Sequence, residues 1–341
     1  MAQFQQLVEA TEGAGLGPRV CALPDGSMIL VLRHGGRILG LFPPGCERNF
    51  FWTNQAIHTR ETARQWAMSR DWHNSGGDRT WLAPEADFFF PEYPSLEKYR
   101  PPVEFDPGDY RFETADGSPV LVSRFTLLSP GQQRSFVCEL RKRVSAAPRP
   151  DYDDKLAYAG YTLTTSLRLL SPLPDPPWRV GLWNLLQMPH GGELLIPVSC
   201  RPEVRVLFGD IGGEDVETTE RVVRYRMHAQ GNHKLGIGPE PLKGRAGYFY
   251  TDGDEACLIV RNFHVDPSGE YVDVPWSEPL GAGTAFQACN VNSDIGTFSE
   301  LEYHAPGLTS SRGATYCEDT SVVWAFRGSP ALIRKAAQSM F

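Results

Sequence analysis

The sequence predicts a mainly β protein, a large sandwich of antiparallel sheets with a few short helices, one of them at the C-terminus. Three observations carry that expectation. Short apolar or alternating runs recur along the chain, about fifteen of them, at the spacing of antiparallel meanders. Turn residues separate them, with 33 Gly and 28 Pro in 341 residues. Helical periodicity is confined to a few short stretches.

The helical stretches are 4–12, 55–72 and the chain end. At the end, Ser329 is a good N-cap, Pro330 fits the first helical position, and 331–340 continues the pattern. Strands are expected at 28–33 and 37–42, joined through His34-Gly35-Gly36 as a hairpin. A second pair, 119–128 and 134–144, flanks Ser129-Pro130-Gly131. Further strands are expected at 161–170, 179–188, 193–199, 204–208, 221–227, 247–250, 256–264, 284–292, 299–305 and 321–327. Asp116-Gly117, Asp252-Gly253 and Ser268-Gly269 mark turns between strands. The Pro-rich stretches 100–107 and 171–177 read as loops around one structure, so a single sandwich over 1–341 is preferred to two stacked β domains.

Composition excludes several classes. Apolar residues make up 41% and charged residues 22%, as in an ordinary globular chain and unlike a disordered protein, a collagen or a coiled coil. No run approaches the roughly 20 apolar residues of a membrane span. The first residues show no basic region followed by an apolar run, so no signal peptide is expected and the expected location is cytoplasmic. A net charge of −8 argues against nucleic acid as a partner. The seven cysteines form no CxxC pair, and an odd count reads as buried, reduced thiols. No GxGxxG, Walker, HExxH or GxSxG motif occurs, so no cofactor, resident metal or serine nucleophile is expected. The oligomeric state stays open.

Three segments carry the candidate chemistry. The segment 73–85 crowds His73, Asn74, Asp78, Arg79, Trp81 and Glu85 around Gly76-Gly77. Arg offers a rigid fork of donors for hydroxyls or carboxylates, Trp a plate for the C–H face of a sugar, and Gly-Gly a close backbone approach. The plain alternative is a tight turn with an Arg–Asp pair and a buried Trp. In 298–306, strand alternation puts Glu300, Glu302 and His304 on one face and Leu301 and Tyr303 on the other. Two carboxylates and an imidazole on one face suit a polar pocket in which proximity separates their pKa values, or else a solvated sheet face. His190, beside Gly191-Gly192, reads as a loop rim pointing into a cleft, or as an exposed loop His.

At these residues the chain resembles the galactose mutarotase-like, or aldose 1-epimerase-like, superfamily. The strand pair at 28–41 followed by Asn49-Phe50-Phe51-Trp52-Thr53-Asn54 is similar to the start of such proteins. The segment 76–85 looks like the GG-x-R-x-W-x-x-PE segment of uncharacterised relatives, and Leu301-Glu302-Tyr303-His304 is similar to the late strand that carries the catalytic Glu. The resemblance implies a supersandwich with a carbohydrate cleft. It also implies a carboxylate base on the anomeric hydroxyl and a His that protonates the ring oxygen. Glu302 matches the Glu and Arg79 the sugar-binding Arg. The Asn-His-x-Tyr-Phe segment that bears the acid His is missing. Leu stands in the His place near 183–186, so His190, His73 or His304 would have to substitute.

The expected function is therefore an aldose 1-epimerase-like isomerase acting on a sugar or oligosaccharide. Glu302 would be the base, and Arg79, Trp81, Glu85, Asp78, Asn74 and Glu300 would hold the sugar. Two alternatives use the same residues. One is a non-catalytic carbohydrate-binding module. The other is a polysaccharide lyase, with Arg79 or Lys234 neutralising a uronate, or a glycoside hydrolase drawing on Glu300, Glu302 and Glu85.

Overall fold

The computed structural model describes residues 3–69, 72–151, 155–276 and 281–341. Among them, two ten-stranded sheets face each other, and every strand pairing within them is antiparallel. The first sheet runs, in spatial order, through Pro18–Ala22, Met28–Leu32, Arg37–Phe42, Asp78–Ala83, Arg179–Pro189, Gly296–His304, Phe286–Ser293, Gly231–Ile237 and Val204–Phe208. The short strand Leu308–Thr309 joins it on Arg179–Pro189. The second sheet runs through Val216–Thr218, Val222–Arg226, Glu193–Pro197, Arg245–Asp252, Glu255–Asn262, Tyr316–Gly328, Ala157–Leu169, Arg134–Ala146, Ser118–Ser129 and Arg111–Ala115.

Side chains alternate along each strand, so each sheet has an inner and an outer face. The inner faces meet in the main core, which includes Ile29, Leu82, Leu186, Leu301, Tyr161 and Ile259. Helices cover parts of the outer faces. Gln3–Gly13 and Arg60–Met68 bury Leu7, Ala63 and Trp66 against Leu30, Leu32 and Leu39 of the first sheet. Pro330–Met340 buries Ile333, Ala336 and Ala337 against Leu258, Val260 and Phe326 of the second. Ser329 caps this last helix as expected, its Oγ accepting from the Leu332 N–H.

Several regions depart from the sequence reading. The stretch 55–72 holds a 3₁₀ turn, Gln55–Ile57, and a helix, Arg60–Met68, each with its own cap. Asn54 caps the first and Thr59 the second, which separates them. Residues 70–71 of that expected helix lie outside the described residues. The short strands Pro18–Ala22, Arg111–Ala115, Val216–Thr218 and Leu308–Thr309 were not expected, and neither were two longer ones, Asp78–Ala83 and Gly231–Ile237. Of the longer two, the first is buried on both faces and shows no alternation, and the second contains two glycines and a mixed polar pattern.

Gly76 and Gly77 serve the packing of this sheet. Both have positive φ, 97° and 77°. A Cβ on Gly76 would lie 2.3 Å from the Trp52 carbonyl oxygen, and one on Gly77 2.3 Å from that of Ile38. The close approach expected of the Gly-Gly pair is thus an approach of backbone to backbone. It launches the strand that presents Arg79 and Trp81.

Candidate active site

Directly paired residues in an antiparallel sheet share a face, so the register places the outer-face residues in rows. One row holds Arg79, Leu185, Glu302 and Gln287. The next holds Gln187, Glu300, Cys289 and Lys234. On the other side of the first row lie Trp81, Trp183 and His304. Five strands drawn from four separate parts of the sequence thereby bring acid, base and aromatic groups together. Glu85, from the short helix Glu85–Phe89 just past the Asp78 strand, and Asp273, from the loop before Phe286–Ser293, close the cluster.

The polar groups grip one another. Arg79 donates to Glu300 Oε1 at 2.8 Å and lies 4.0 Å over the Trp81 ring. Gln187 Nε2 donates to the same Glu300 oxygen at 2.8 Å. Lys234 Nζ stands 3.1 Å from Glu302 Oε2 and 3.3 Å from Glu85 Oε2. The Trp183 indole N–H donates to Glu302 Oε2 at 2.8 Å, and its ring stacks against His304 at 5.6 Å between centroids. Asp273 accepts from the Glu85 backbone N–H and from Gln287 Nε2. Asn74 Oδ1 bridges Arg79 and Arg37, and Asp106 accepts from both Arg37 and the Trp81 indole. Tyr99 closes one side, its hydroxyl donating to Glu85 Oε1 at 3.0 Å and its ring stacked on Phe89.

Burial sets the electrostatics. Glu302 is 1% exposed and His304 2%. Loss of solvent pushes the Glu302 carboxyl up to about 7; Lys234 pulls it down, and Glu300 and Glu85 push it further up. Burial likewise raises Glu85. Burial takes His304 down to about 4 against the pull of Asp273, so its imidazole is neutral at pH 7. Burial works against the Lys234 charge, but Glu302 and Glu85 outweigh it and the ammonium is held more firmly than usual. The result is a carboxyl that exchanges its proton near neutrality, beside a permanent cation. Cys289, Glu300 and Glu302 each bring a ligand atom within 4.8 Å of the others. Arg79 and Lys234 already supply positive charge there, and burial keeps the Cys289 thiol protonated, which fits a resident metal poorly.

The structure brings Arg79, Trp81, Glu85, Glu300, Glu302 and His304 into this one cluster, with Asn74 in support. Asp78 points the other way, to the inner face. There its Oδ1 accepts from Arg261 at 2.9 Å and its Oδ2 from the Tyr161 hydroxyl at 2.6 Å, so it holds the sheets together. His190 pairs with Asn290, which alternates with Cys289 and therefore belongs to the opposite face. His73 packs its ring against Trp66, 5.5 Å away, toward the N-terminal helices. Neither histidine contacts Glu302. Sequence reasoning had named Lys234 only as a lyase cation, and it did not single out Asp273, Gln187, Gln287 or Trp183.

No protein-family model and no curated protein matches the sequence. Among solved structures, the Slr1438 protein of Synechocystis sp. PCC 6803 is similar at 12% identity over 92% of this chain and 96% of that chain, with a TM-score of 0.46. HI1317 is similar at 7% identity over 90% and 91%, with a TM-score of 0.45. A galactose 1-epimerase from Lactobacillus acidophilus NCFM is similar at 9% identity over 91% and 93%, with a TM-score of 0.41. No residue role is carried over from them.

Proposed function

We propose that the chain acts on a sugar at its anomeric centre, as an aldose 1-epimerase-like isomerase with Glu302 as the base. One observation carries this. Glu302 is buried between Trp183 and Lys234, has a proton affinity matched to neutral pH, and leaves Oε1 without a hydrogen-bond partner. A base near pH 7 with a free oxygen suits removal of the anomeric hydroxyl proton. As the C1 to ring-oxygen bond breaks, the ring oxygen takes a proton from solvent, and the Lys234 ammonium beside Glu302 stabilises the developing negative charge without giving up its own proton. After rotation about C1–C2 the steps reverse and both protons return. Arg79 and Glu300 would orient hydroxyls, and Trp81 and Trp183 offer apolar ring faces.

Substrate reaches these groups when the Tyr99–Glu85 contact opens, because the cluster side chains are nearly fully buried. That same burial and mutual pairing support the second reading, a sugar-binding module without turnover. Two-dimensional exchange NMR against pooled aldoses separates the two. Isomerase activity predicts faster α/β interconversion for at least one sugar, abolished by Glu302→Gln. Binding without any enhanced exchange would leave the module.

A further inference from the structure

The cluster around Glu302 is unbalanced in two independent ways. The first is charge. Four carboxylates, Glu85, Asp273, Glu300 and Glu302, face two cations, Arg79 and Lys234, among the described residues. His304 does not redress the balance, and the neighbouring Arg37–Asp106 pair is neutral as a unit. The second is hydrogen bonding. Three buried acceptor oxygens lack a donor: Glu302 Oε1, Gln187 Oε1 and Gln287 Oε1. All three side chains are at most 1% exposed. Each glutamine's orientation follows from its own amide N–H bonds, Gln187 to Glu300 and Gln287 to Asp273 and Thr284. On the donor side of this cluster, Arg79 Nε is unmatched, and so is the single N–H of the neutral His304 ring, whose Nδ1 and Nε2 both lack hydrogen-bond partners.

A ligand that completes such a site brings donors and positive charge. We propose that the Glu302 site selects an amino sugar, its protonated amine received by the unpartnered Oε1 of Glu302, where acidic side chains outnumber cations. An ammonium has three N–H donors and no acceptor, which suits an unpartnered carboxylate oxygen amid surplus acidic groups. A uronate would add a fifth carboxylate to the four already present. A neutral hexose satisfies the oxygens through hydroxyls but leaves the charge uncompensated. The inference rests on the sugar reading of this site, yet it concerns which sugar is bound and does not depend on turnover.

The test uses the full chain and four probes in matched sets: D-glucosamine, N-acetyl-D-glucosamine, D-glucose and D-glucuronic acid, with the galacto counterparts. Binding is measured by calorimetry and anomer exchange by NMR, at pH 7, where the amine is largely protonated and Glu302 is partly ionised. Acetylation removes the charge and keeps the ring, so it isolates the ammonium. A charged hydrogen bond in a dry site predicts that the amino sugar binds at least about tenfold tighter than its N-acetyl and neutral partners, with the uronate weakest. Glu302→Gln narrows that gap. Equal affinity for amine and N-acetyl forms, or tighter binding of the uronate, overturns the inference even if exchange is accelerated, in which case the isomerase reading stands. Amine preference without accelerated exchange overturns the isomerase reading and upholds this one. Binding of none of the probes contradicts both.

Discussion

The strand Asp78–Ala83 feeds two buried ionic clusters, one on each face of its sheet, and they are built differently. On the inner face, Asp78 has both oxygens engaged, by Arg261 and by Tyr161, and Arg261 is further held by Ser321. On the outer face, Arg79 and Lys234 pair with Glu300, Glu302 and Glu85, but an oxygen of Glu302 stays unpaired and carboxylates outnumber cations. The inner carboxylate is fully paired, although Arg261 Nε has no partner among the described residues. On the proposed function, the outer cluster keeps its unpaired Glu302 oxygen for a ligand. Neighbouring residues of one strand thus enter two different clusters according to which way alternation points them.

The largest expected effect breaks the inner cluster. Asp78→Ala strands the Arg261 guanidinium between the sheets, which costs about 3–5 kcal/mol of folding stability by denaturant unfolding. Glu302→Gln on the outer face leaves a neutral group of the same shape and is expected to cost under about 1 kcal/mol. Comparable losses from both variants would erase the distinction between the faces.

The pH dependence of stability sharpens the contrast. Lys142, on the inner side and donating to the Gly36 carbonyl, is brought down by burial from 10.5 to about 7. The unfolded chain then holds more protons than the folded one between those values, so this residue makes stability rise as pH climbs from 7 toward 9. The slope is at most about 1.4 kcal/mol per pH unit. Glu302 has the opposite sign. Its folded value lies above its unfolded one, 4.5 against about 7, so the stability it contributes is present below 4.5 and is lost as pH rises through 7. Lys142→Met should flatten the alkaline slope alone, and Glu302→Gln the acid-side one alone. Unchanged slopes in either variant would show that other groups govern them.

The smallest effect concerns the cover. Tyr99→Phe removes one hydrogen bond to Glu85, worth about 0.5–1.5 kcal/mol, and frees that side of the cluster. Ligand association is expected to quicken a few-fold with little change in melting temperature. A slower association would mean that Tyr99 assists binding and does not guard it.

Much of this architecture was legible in the sequence, and the gaps have physical reasons. The strand at 298–304 is buried on both faces, yet its residue types alternate, so the shared face of Glu300, Glu302 and His304 could be read directly. The run Asp78-Arg79-Thr80-Trp81 is likewise buried on both faces but shows no alternation, so nothing in it tells that Arg79 belongs to the site and Asp78 to the core. Lys234 was hard to place because its strand is interrupted by Gly231 and Gly236, which weaken the pattern. Asp273 lies in a loop, where no periodicity reports direction. His190 looked like a cleft residue because it follows a site strand, but the chain has by then turned toward Asn290 on the other face.

The most direct test of the central claim is the rate of anomer exchange as a function of pH, for the wild-type chain and for Glu302→Gln. Catalysis by a Glu302 base predicts a rate that rises with deprotonation, with a midpoint near the Glu302 value of about 7, and a variant without that midpoint and slower by at least about 100-fold above it. A variant that keeps the wild-type rate and the same midpoint would show that Glu302 is not the base.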